Sequence, residues 1–444
     1  MFGRKYLIWV AAVAVLAALH LFVSACGDDD DDGATRAFSD DDDSTAFTSD
    51  DDDDDNADDD DDDTADDDTA DDDDTVDDDD TADDDTDDDT TDDDTGDDDT
   101  GDDDTGDDDT GDDDDTFVEN YGLDFDVTDA EYSRFLDRAV IAAHHPTNAV
   151  VTLDFETNAA SSVALDEKPI SISVSPDGKH AAVNHGDLIS YVDLVEMKVE
   201  DTFTPTKDLG DIVLAQDYIY GFPTLDGWTR IVCIKISDGT ETLHTGSKDI
   251  RQQSKAKLHP NLDWLYTTEV ENWPRGISKF SVTTGTAAYL YDEPKHGEYN
   301  FCAKIWIAPD GKRLYTRCMH IFTSTDDQET DIGYIGDLTE DGADELTELD
   351  VSPASDGAIV AILDKAVGSP YNSRDIMAFD PDLLTKTHHW KLPLYEGESN
   401  DYEINGDYVF VSNDGTRAYV IAMVADDAFA PADKDQQTFV FDLE

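Results

Sequence analysis

The chain has 444 residues and a formal net charge of −84, from 112 acidic against 28 basic side chains. So acidic a molecule repels nucleic acid and anionic lipid surfaces, which removes both from the expected partners. The charge is unevenly spread. Residues 28–116 hold about 54 aspartates and one basic residue, Arg36, whereas 117–444 keep roughly 33 more acidic than basic groups among abundant Val, Ile, Leu, Phe, Tyr and Trp.

The N-terminus opens with Arg4 and Lys5, continues as an apolar run from Tyr6 to Val23 broken by His20, and reaches Val23-Ser24-Ala25-Cys26-Gly27. A basic start, an apolar stretch and small residues before a cleavage point describe an export signal. The run is long enough to span a bilayer, so an uncleaved anchor is the alternative. The small residues ending in Cys26 resemble the lipobox of bacterial lipoproteins. That resemblance implies a signal peptide over 1–25 and acyl chains on Cys26, which fix the protein to a membrane; several chains hold where one is marginal. The implied address is the outer membrane or cell surface, with the periplasmic face as the alternative. Gly27 follows the cysteine, where an Asp favours inner-membrane retention in lipoproteins of enterobacterial type.

From Asp28 the chain is blocks of Asp separated by Thr-Ala and Thr-Gly, settling into Asp-Asp-Asp-Thr-Gly units such as 97–101 and 102–106. Without apolar surface to offset ordering entropy, 26–116 is expected to be a disordered tether. Like charges extend it. At about 3.3 Å per residue its 89 residues from Asp28 reach on the order of 290 Å. An acidic run behind a lipidated cysteine also resembles the export tags of some surface lipoproteins.

Residues 117–444 repeat. A short strand recurs as Val150-Val151-Thr152-Leu153-Asp154, Ile189-Ser190-Tyr191-Val192-Asp193, Ile231-Val232-Cys233-Ile234-Lys235 and Ile277-Ser278-Lys279-Phe280-Ser281. It continues as Ile332-Gly333-Tyr334-Ile335-Gly336, Ile376-Met377-Ala378-Phe379-Asp380 and Thr438-Phe439-Val440-Phe441-Asp442. These seven copies lie about 48 residues apart. A hairpin precedes several of them, with turns at Ser175-Pro176-Asp177-Gly178-Lys179, Ala308-Pro309-Asp310-Gly311-Lys312 and Ser412-Asn413-Asp414-Gly415-Thr416, and a divergent one at His259-Pro260-Asn261-Leu262-Asp263. Pro presets such a turn and Gly supplies its positive φ. Period-2 alternation in units of this length predicts an all-β fold, a seven-bladed β-propeller over 117–444. The chain stops after the seventh third-strand copy, so residues 117–127 are expected to supply the missing outer strand and close the ring.

Asp310-Gly311-Lys312-Arg313-Leu314-Tyr315 resembles the repeat signature of the YVTN-type bacterial surface propellers, and Ser175 to Lys179 with Tyr191-Val192-Asp193 fits the same pattern. The resemblance covers most of 130–444. It implies a fold, and little about activity, because the family is functionally diverse.

Three cysteines remain in an exported setting. With a three-residue turn at Pro309-Asp310-Gly311, residues whose numbers sum to 620 face each other, which places Cys302 opposite Cys318 at disulfide range. Two free buried thiols are the alternative. Cys233, inside an apolar strand, is expected to be a small core residue. Calcium is the one metal suggested: Asp337, Thr339, Asp341, Glu345 and Glu348 fall at positions 1, 3, 5, 9 and 12 of a loop with Gly342 at 6, resembling an EF-hand. Thr at position 3, Asp344 at 8 and a preceding strand depart from that pattern, and a solvated acidic loop is the competing reading. No other cofactor is predicted.

His144, His145, His180, His185, His388 and His389 fall in several blades without HExxH or other ligand spacing. Nucleophile-elbow, P-loop and heme-attachment motifs are absent from the sequence. Trp228, Trp264, Trp273, Trp306 and Trp390 line a binding face or pack between blades, the second being the commoner use. The expected function is a lipid-anchored binding or scaffold module with a protein or glycan ligand. The alternatives are a propeller enzyme, lactonase-like or quinone-dependent, with a site in the central channel, and a calcium-dependent adhesion module. A cluster of His, Asp, Glu or Arg at the channel mouth favours the enzyme; an apolar plug counts against it.

Overall fold

Four of the seven inner hairpins start from the same local chemistry. The Asp177 carboxylate accepts the Lys179 N–H at 3.1 Å, and Gly178 sits at φ +70°. A Cβ on Gly178 would lie 2.8 Å from the Phe135 Cβ, so the turn needs glycine. Likewise Asp310 accepts the Lys312 N–H at 2.9 Å, the Asn261 amide oxygen the Asp263 N–H at 2.9 Å and Asp414 the Thr416 N–H at 3.1 Å. These turns join the two innermost strands of a sheet.

The computed structural model describes residues 119–443 apart from 271–274, 339, 341, 344, 355–356, 365–371, 397–400 and 426–434. The expected signal peptide, Cys26 and the tether lie outside the described residues. The described residues form a seven-bladed antiparallel propeller without helices. Blade 1 runs outward through Asp126–Ser133, Arg138–His145, Ala149–Asp154 and Ala159–Ala164. Blade 2 is Ser171–Val174, His180–Asn184, Ile189–Asp193 and Lys198–Phe203. Blade 3 is Leu209–Leu214, Tyr218–Pro223, Val232–Lys235 and Glu241–Leu243, and a ribbon of Trp228–Thr229 with Ile250–Arg251 lies beside it in sequence. Blade 4 is Lys255–Leu258, Trp264–Thr268, Ile277–Ser281 and Ala288–Asp292. Blade 5 is Ile305–Ile307, Arg313–Thr316, His320–Thr323 and Tyr334–Asp337. Blade 6 is Leu346–Val351, Ile359–Leu363, Asp375–Phe379 and Lys386–Lys391. Blade 7 is Asp401–Val411, Arg417–Val424 and Gln436–Asp442, with Leu394–Glu396 pairing its first strand.

The ring closes as its logic demands. Glu119–Gly122 pairs with Gln436–Asp442 and supplies the outer strand of blade 7. The closing segment is shorter than 117–127, because from Asp126 the chain already belongs to the innermost strand of blade 1.

Two expectations need correction. The fifth repeat copy, 332–336, belongs to the outermost strand of blade 5; the third strand is His320–Thr323, reached by a tight turn with Met319 at φ +65°. That third strand, with His and Thr at its ends, is too mixed to match the repeat. The second correction is register. Ile305 faces Thr316, Trp306 faces Tyr315 and Ile307 faces Leu314, so paired numbers sum to 621 rather than 620. The turn holds four residues between Ala308 and Arg313, one more than the sequence reading allowed. Cys302 and Cys318 are still joined, with Cα atoms 5.4 Å apart. They meet outside the ladder, where positive φ at Cys302 and Ala303 turns the chain out of strand geometry.

Burial explains why the strands read as they do. In Arg138–His145 the five residues from Ala139 to Ala143 are fully buried, on both faces. A second or third strand lies between two neighbouring blades, so it reads as a continuous apolar run instead of alternating. Outer strands such as Ala159–Ala164 are exposed and polar or small. Seven apolar clusters match the seven blade interfaces. Val140, Ala142 and Val150 of blade 1 meet Ile172, Ala181 and Val183 of blade 2. Ile141 and Val151 meet Phe410, Tyr419 and Val440 across the closing interface. Each fully buried Val, Ile or Phe contributes about 1.5–3 kcal/mol.

Candidate functional site

The innermost strands carry two stacked rings of side chains. The residues that open the hairpin turns are Ser133, Ser175, Ala215, His259, Ala308, Ser352 and Ser412, each paired across its turn. Counting back two residues gives an upper ring of Glu131, Ser173, Val213, Lys257, Trp306, Asp350 and Phe410. Counting back four gives a lower ring of Asp129, Ser171, Asp211, Lys255, Lys304, Glu348 and Tyr408. In four blades a bulge residue directly precedes the lower position: Thr128, Gly210, Thr347 and Asp407. A bulge bends the strand and re-aims the next side chain, which is why bulges gather at sites.

These side chains reach to the next blade. Asp129 and Glu131 accept the Ile172 and Val174 N–H groups at 2.8 and 2.7 Å. Ser173 accepts the Leu214 N–H at 3.0 Å, and Asp350 that of Val411 at 2.8 Å. Lys255 pairs with Asp211 at 3.4 Å and Lys304 with Glu348 at 2.6 Å. Trp306 donates its indole N–H to Glu348. Lys257 of blade 4 reaches Glu131 of blade 1 at 2.9 Å. Those blades are three places apart, as far across a seven-membered ring as two blades can be. The channel is therefore crossed by an ion pair and is charged rather than apolar.

Crowding of charge moves the titrations. Burial, with Glu131 and Asp211 nearby, pushes the Asp129 carboxyl up to about 7, against the Ile172 N–H and Lys257. Burial pushes Asp407 up to about 6 and raises Asp211. Attraction to Glu131 holds Lys257 above its ordinary value. Above this floor a cleft of about 410 Å³ opens among the turns, lined by Arg134, Pro176, Leu258, Pro260, Leu262 and Pro309 beside Glu131 and Lys257.

The sequence-derived candidates fall elsewhere, with two exceptions. Trp306 and Glu348 belong to the channel. Trp228 is half-exposed on its ribbon near Arg251. Trp390 is buried between blades 6 and 7, and Trp273 lies outside the described residues. Of the histidines, His144 bonds Thr128, His185 bonds Ser190, His388 stacks on Trp390 and His389 pairs with Asp375; none joins the rings. Of the calcium set, Thr339 and Asp341 lie outside the described residues. Asp337 ends the outermost strand of blade 5, held by His320 at 2.6 Å and Tyr334 at 2.7 Å. Glu345 faces Arg317 at 3.1 Å. Glu348 lies on the innermost strand of blade 6, where it pairs with Lys304 at 2.6 Å. Cys233 is fully buried, and burial pushes its thiol up to about 11.

Sequence reasoning also missed a buried clamp between blades 4 and 5. Lys279 and Asp331 pair at 2.9 Å with side chains 1% and 0% exposed. Asp331 further accepts the Thr325 N–H at 2.8 Å, the Tyr266 hydroxyl at 3.0 Å and the Tyr291 hydroxyl at 3.1 Å. The Lys279 ammonium sits 3.5 Å from the centre of the Trp264 ring and donates to the Thr325 carbonyl at 2.6 Å.

No protein-family model matches this chain, and no curated protein matches it. Among solved structures it is similar to the crystal structure of the Cps50 (Swd1) β-propeller domain of Myceliophteria thermophila, with a TM-score of 0.53 at 10% identity, covering 74% of this chain and 99% of that one. At that identity the likeness is one of fold.

Proposed function

We propose that this protein is a lipid-anchored, extracytoplasmic propeller that serves as a displayed binding or scaffold module. The observation that carries the binding role is the mutual pairing of the channel charges. Lys257 with Glu131, Lys304 with Glu348 and Arg134 with Asp350 at 2.6 Å occupy one another. Recognition then falls to the turn face, where clefts of about 410 and 350 Å³ open between hairpins. A surface of prolines, Leu262 and fixed charges suits a protein or glycan ligand. Cys26 and the Asp-rich segment supply anchor and reach. Labelling cells with radioactive palmitate tests the anchor: the wild type takes label and sediments with membranes, and Cys26→Ser does neither. Equal behaviour of the two overturns it. A thermal melt of the full chain against sugars, lactones and quinones tests binding, since a ligand of the native state raises stability by mass action. Leu262→Arg, in the cleft, removes any shift that arises there; a shift that survives it places the ligand elsewhere.

The enzyme reading retains one supporting observation. A channel carboxyl near 7, Asp129, and another near 6, Asp407, have the values a general acid or base needs at neutral pH. Lactone hydrolysis or quinone reduction that Asp129→Asn abolishes, in a variant whose circular dichroism shows the same folded β structure, would put this reading first.

A further inference from the structure

On the rim of blade 2, three side chains from successive strands converge. His180 opens the second strand, Asp193 closes the third and Glu200 lies on the outer one. One nitrogen of His180 and one carboxylate oxygen of each acid lie within 4.8 Å of one another. His180 Nε2 is 3.6 Å from Glu200 Oε2. Two ligands each about 2.1 Å from a tetrahedral ion stand about 3.4 Å apart, so this pair already has ligand spacing. We propose that His180, Asp193 and Glu200 bind one divalent transition-metal ion, of the zinc or cobalt type, through imidazole Nε2 and two carboxylates.

Three further observations support the assignment. The other ring nitrogen lies 4.0 Å from Asp177 Oδ1, beyond hydrogen-bond distance but close enough for the carboxylate to favour a cation on the imidazole. The ring is already fixed: it stacks on Tyr191 with centroids 5.1 Å apart and planes 7° from parallel, and its backbone N–H bonds Ser175 Oγ at 3.0 Å. The third is a cleft of about 360 Å³ that adjoins the site, lined by Asp177, His180, Tyr191, Gln216 and Leu262. It gives a further ligand access to an open coordination position, as three protein ligands require. Asp193 commits only Oδ1 to the backbone, accepting the N–H groups of Val195 and Glu196 at 2.8 Å, which leaves Oδ2 for the ion. Imidazole in place of a third carboxylate selects transition metals over calcium.

Lys198 is the competing cation. Its ammonium is 3.4 Å from Glu200 Oε1 and bonds Glu196 at 2.5 Å, so it takes the oxygen of Glu200 that the ion does not. Lys179 sits instead over the Phe135 ring at 4.8 Å.

The test is a cobalt(II) titration of the full chain, followed by its visible d–d absorbance and by displacement with zinc. The many aspartates bind cobalt weakly as an octahedral oxygen complex with a faint band. The proposed site adds a stronger band that saturates at one equivalent and is lost on adding zinc. His180→Gln removes it; Glu200→Gln, which takes away a direct ligand, weakens binding by more than about 10-fold, and Asp177→Asn by up to about 10-fold. Lys198→Gln strengthens binding, which a merely electrostatic cluster on the Asp-rich segment would not show. Metal-free melts of the variants check folding, and Glu200→Gln, on an outer strand, gives the answer if His180→Gln does not fold. A one-equivalent band unchanged in both variants, or no such band in the wild type, overturns the proposal.

Discussion

The Lys279–Asp331 clamp makes an asymmetric prediction. Asp331→Ala leaves the Thr325 N–H and the Tyr291 hydroxyl without their acceptor, and strands the Lys279 ammonium in the core. Breaking a buried pair from one side costs about 3–5 kcal/mol. Lys279→Met is milder, because Asp331 keeps its bonds from Thr325, Tyr266 and Tyr291 and those hold a carboxylate. Losing one bond to a charged group costs on the order of 2 kcal/mol. The double variant should be no worse than Asp331→Ala, since it removes the stranded charge. At about 2 °C per kcal/mol in a large domain, Asp331→Ala melts roughly 6–10 °C below the wild type. The sign with pH is also fixed. Burial already holds Lys279 below its ordinary value and Asp331 opposes that. In Asp331→Ala the value falls further, so the unfolded chain binds more protons above it, and stability recovers as pH rises toward 10.5. Calorimetry of the four proteins across alkaline pH measures this. A Lys279→Met loss larger than that of Asp331→Ala, or additive losses in the double variant, refutes the reasoning.

Three other outcomes follow from the same structure. Deleting 119–122 uncovers the edge of Gln436–Asp442, and the protein should melt lower and self-associate, read by light scattering during the melt. Asp129 is raised from 3.8 to about 7 in the folded state, so the native protein binds the extra proton between those values. Its contribution is present below 3.8 and lost as pH rises through 7, and Asp129→Asn should flatten that part of the stability curve. Replacing Cys302 and Cys318 by serine opens a cross-link spanning 16 residues, which should cost about 3 kcal/mol in a melt run without reductant.

How much of this was legible depends on where a residue sits along the blade radius. Third strands such as Asp375–Phe379 of blade 6 are buried on both faces, so they leave an apolar signature that repeats. The Pro-Asp-Gly turns do the same through backbone geometry. Blade 5 escaped because its third strand, His320–Thr323, has only two apolar residues between His and Thr, and its outer strand carries the apolar tyrosine and isoleucine instead. The channel rings were invisible for a different reason. Each blade contributes two residues, and their chemistry differs from blade to blade: Glu131, Ser173, Val213, Lys257, Trp306. No composition or spacing rule marks such a set. The turns did contain the key, since positions two and four residues before Ser175, His259, Ala308 and Ser412 are the ring positions, but it opens only once every turn is placed in register. The disulfide is a case of a sound pairing reached through a wrong register, because two left-handed residues did what the ladder was expected to do.

The channel charges acquire their sense from the edge problem of a propeller. Seven innermost strands each turn an unpaired edge toward the axis, and an exposed edge donor needs an acceptor. Asp129, Glu131, Ser173 and Asp350 provide it, each to an N–H of the following blade. Acid in the channel is thus first a structural device, and the lysines that reach in from blades 4 and 5 follow because carboxylates so close together cannot all stay charged alone. Asp129 stands near neutrality because it serves the edge of blade 2 while Glu131 and Asp211 press on it. Asp407 is different. It is the extra residue of a bulge, and burial rather than a capped donor sets its value. A carboxyl set by a bulge fills no ladder position, so the edge argument does not account for it, and its burial beside Lys304 sets it apart from the carboxylates that cap the next blade.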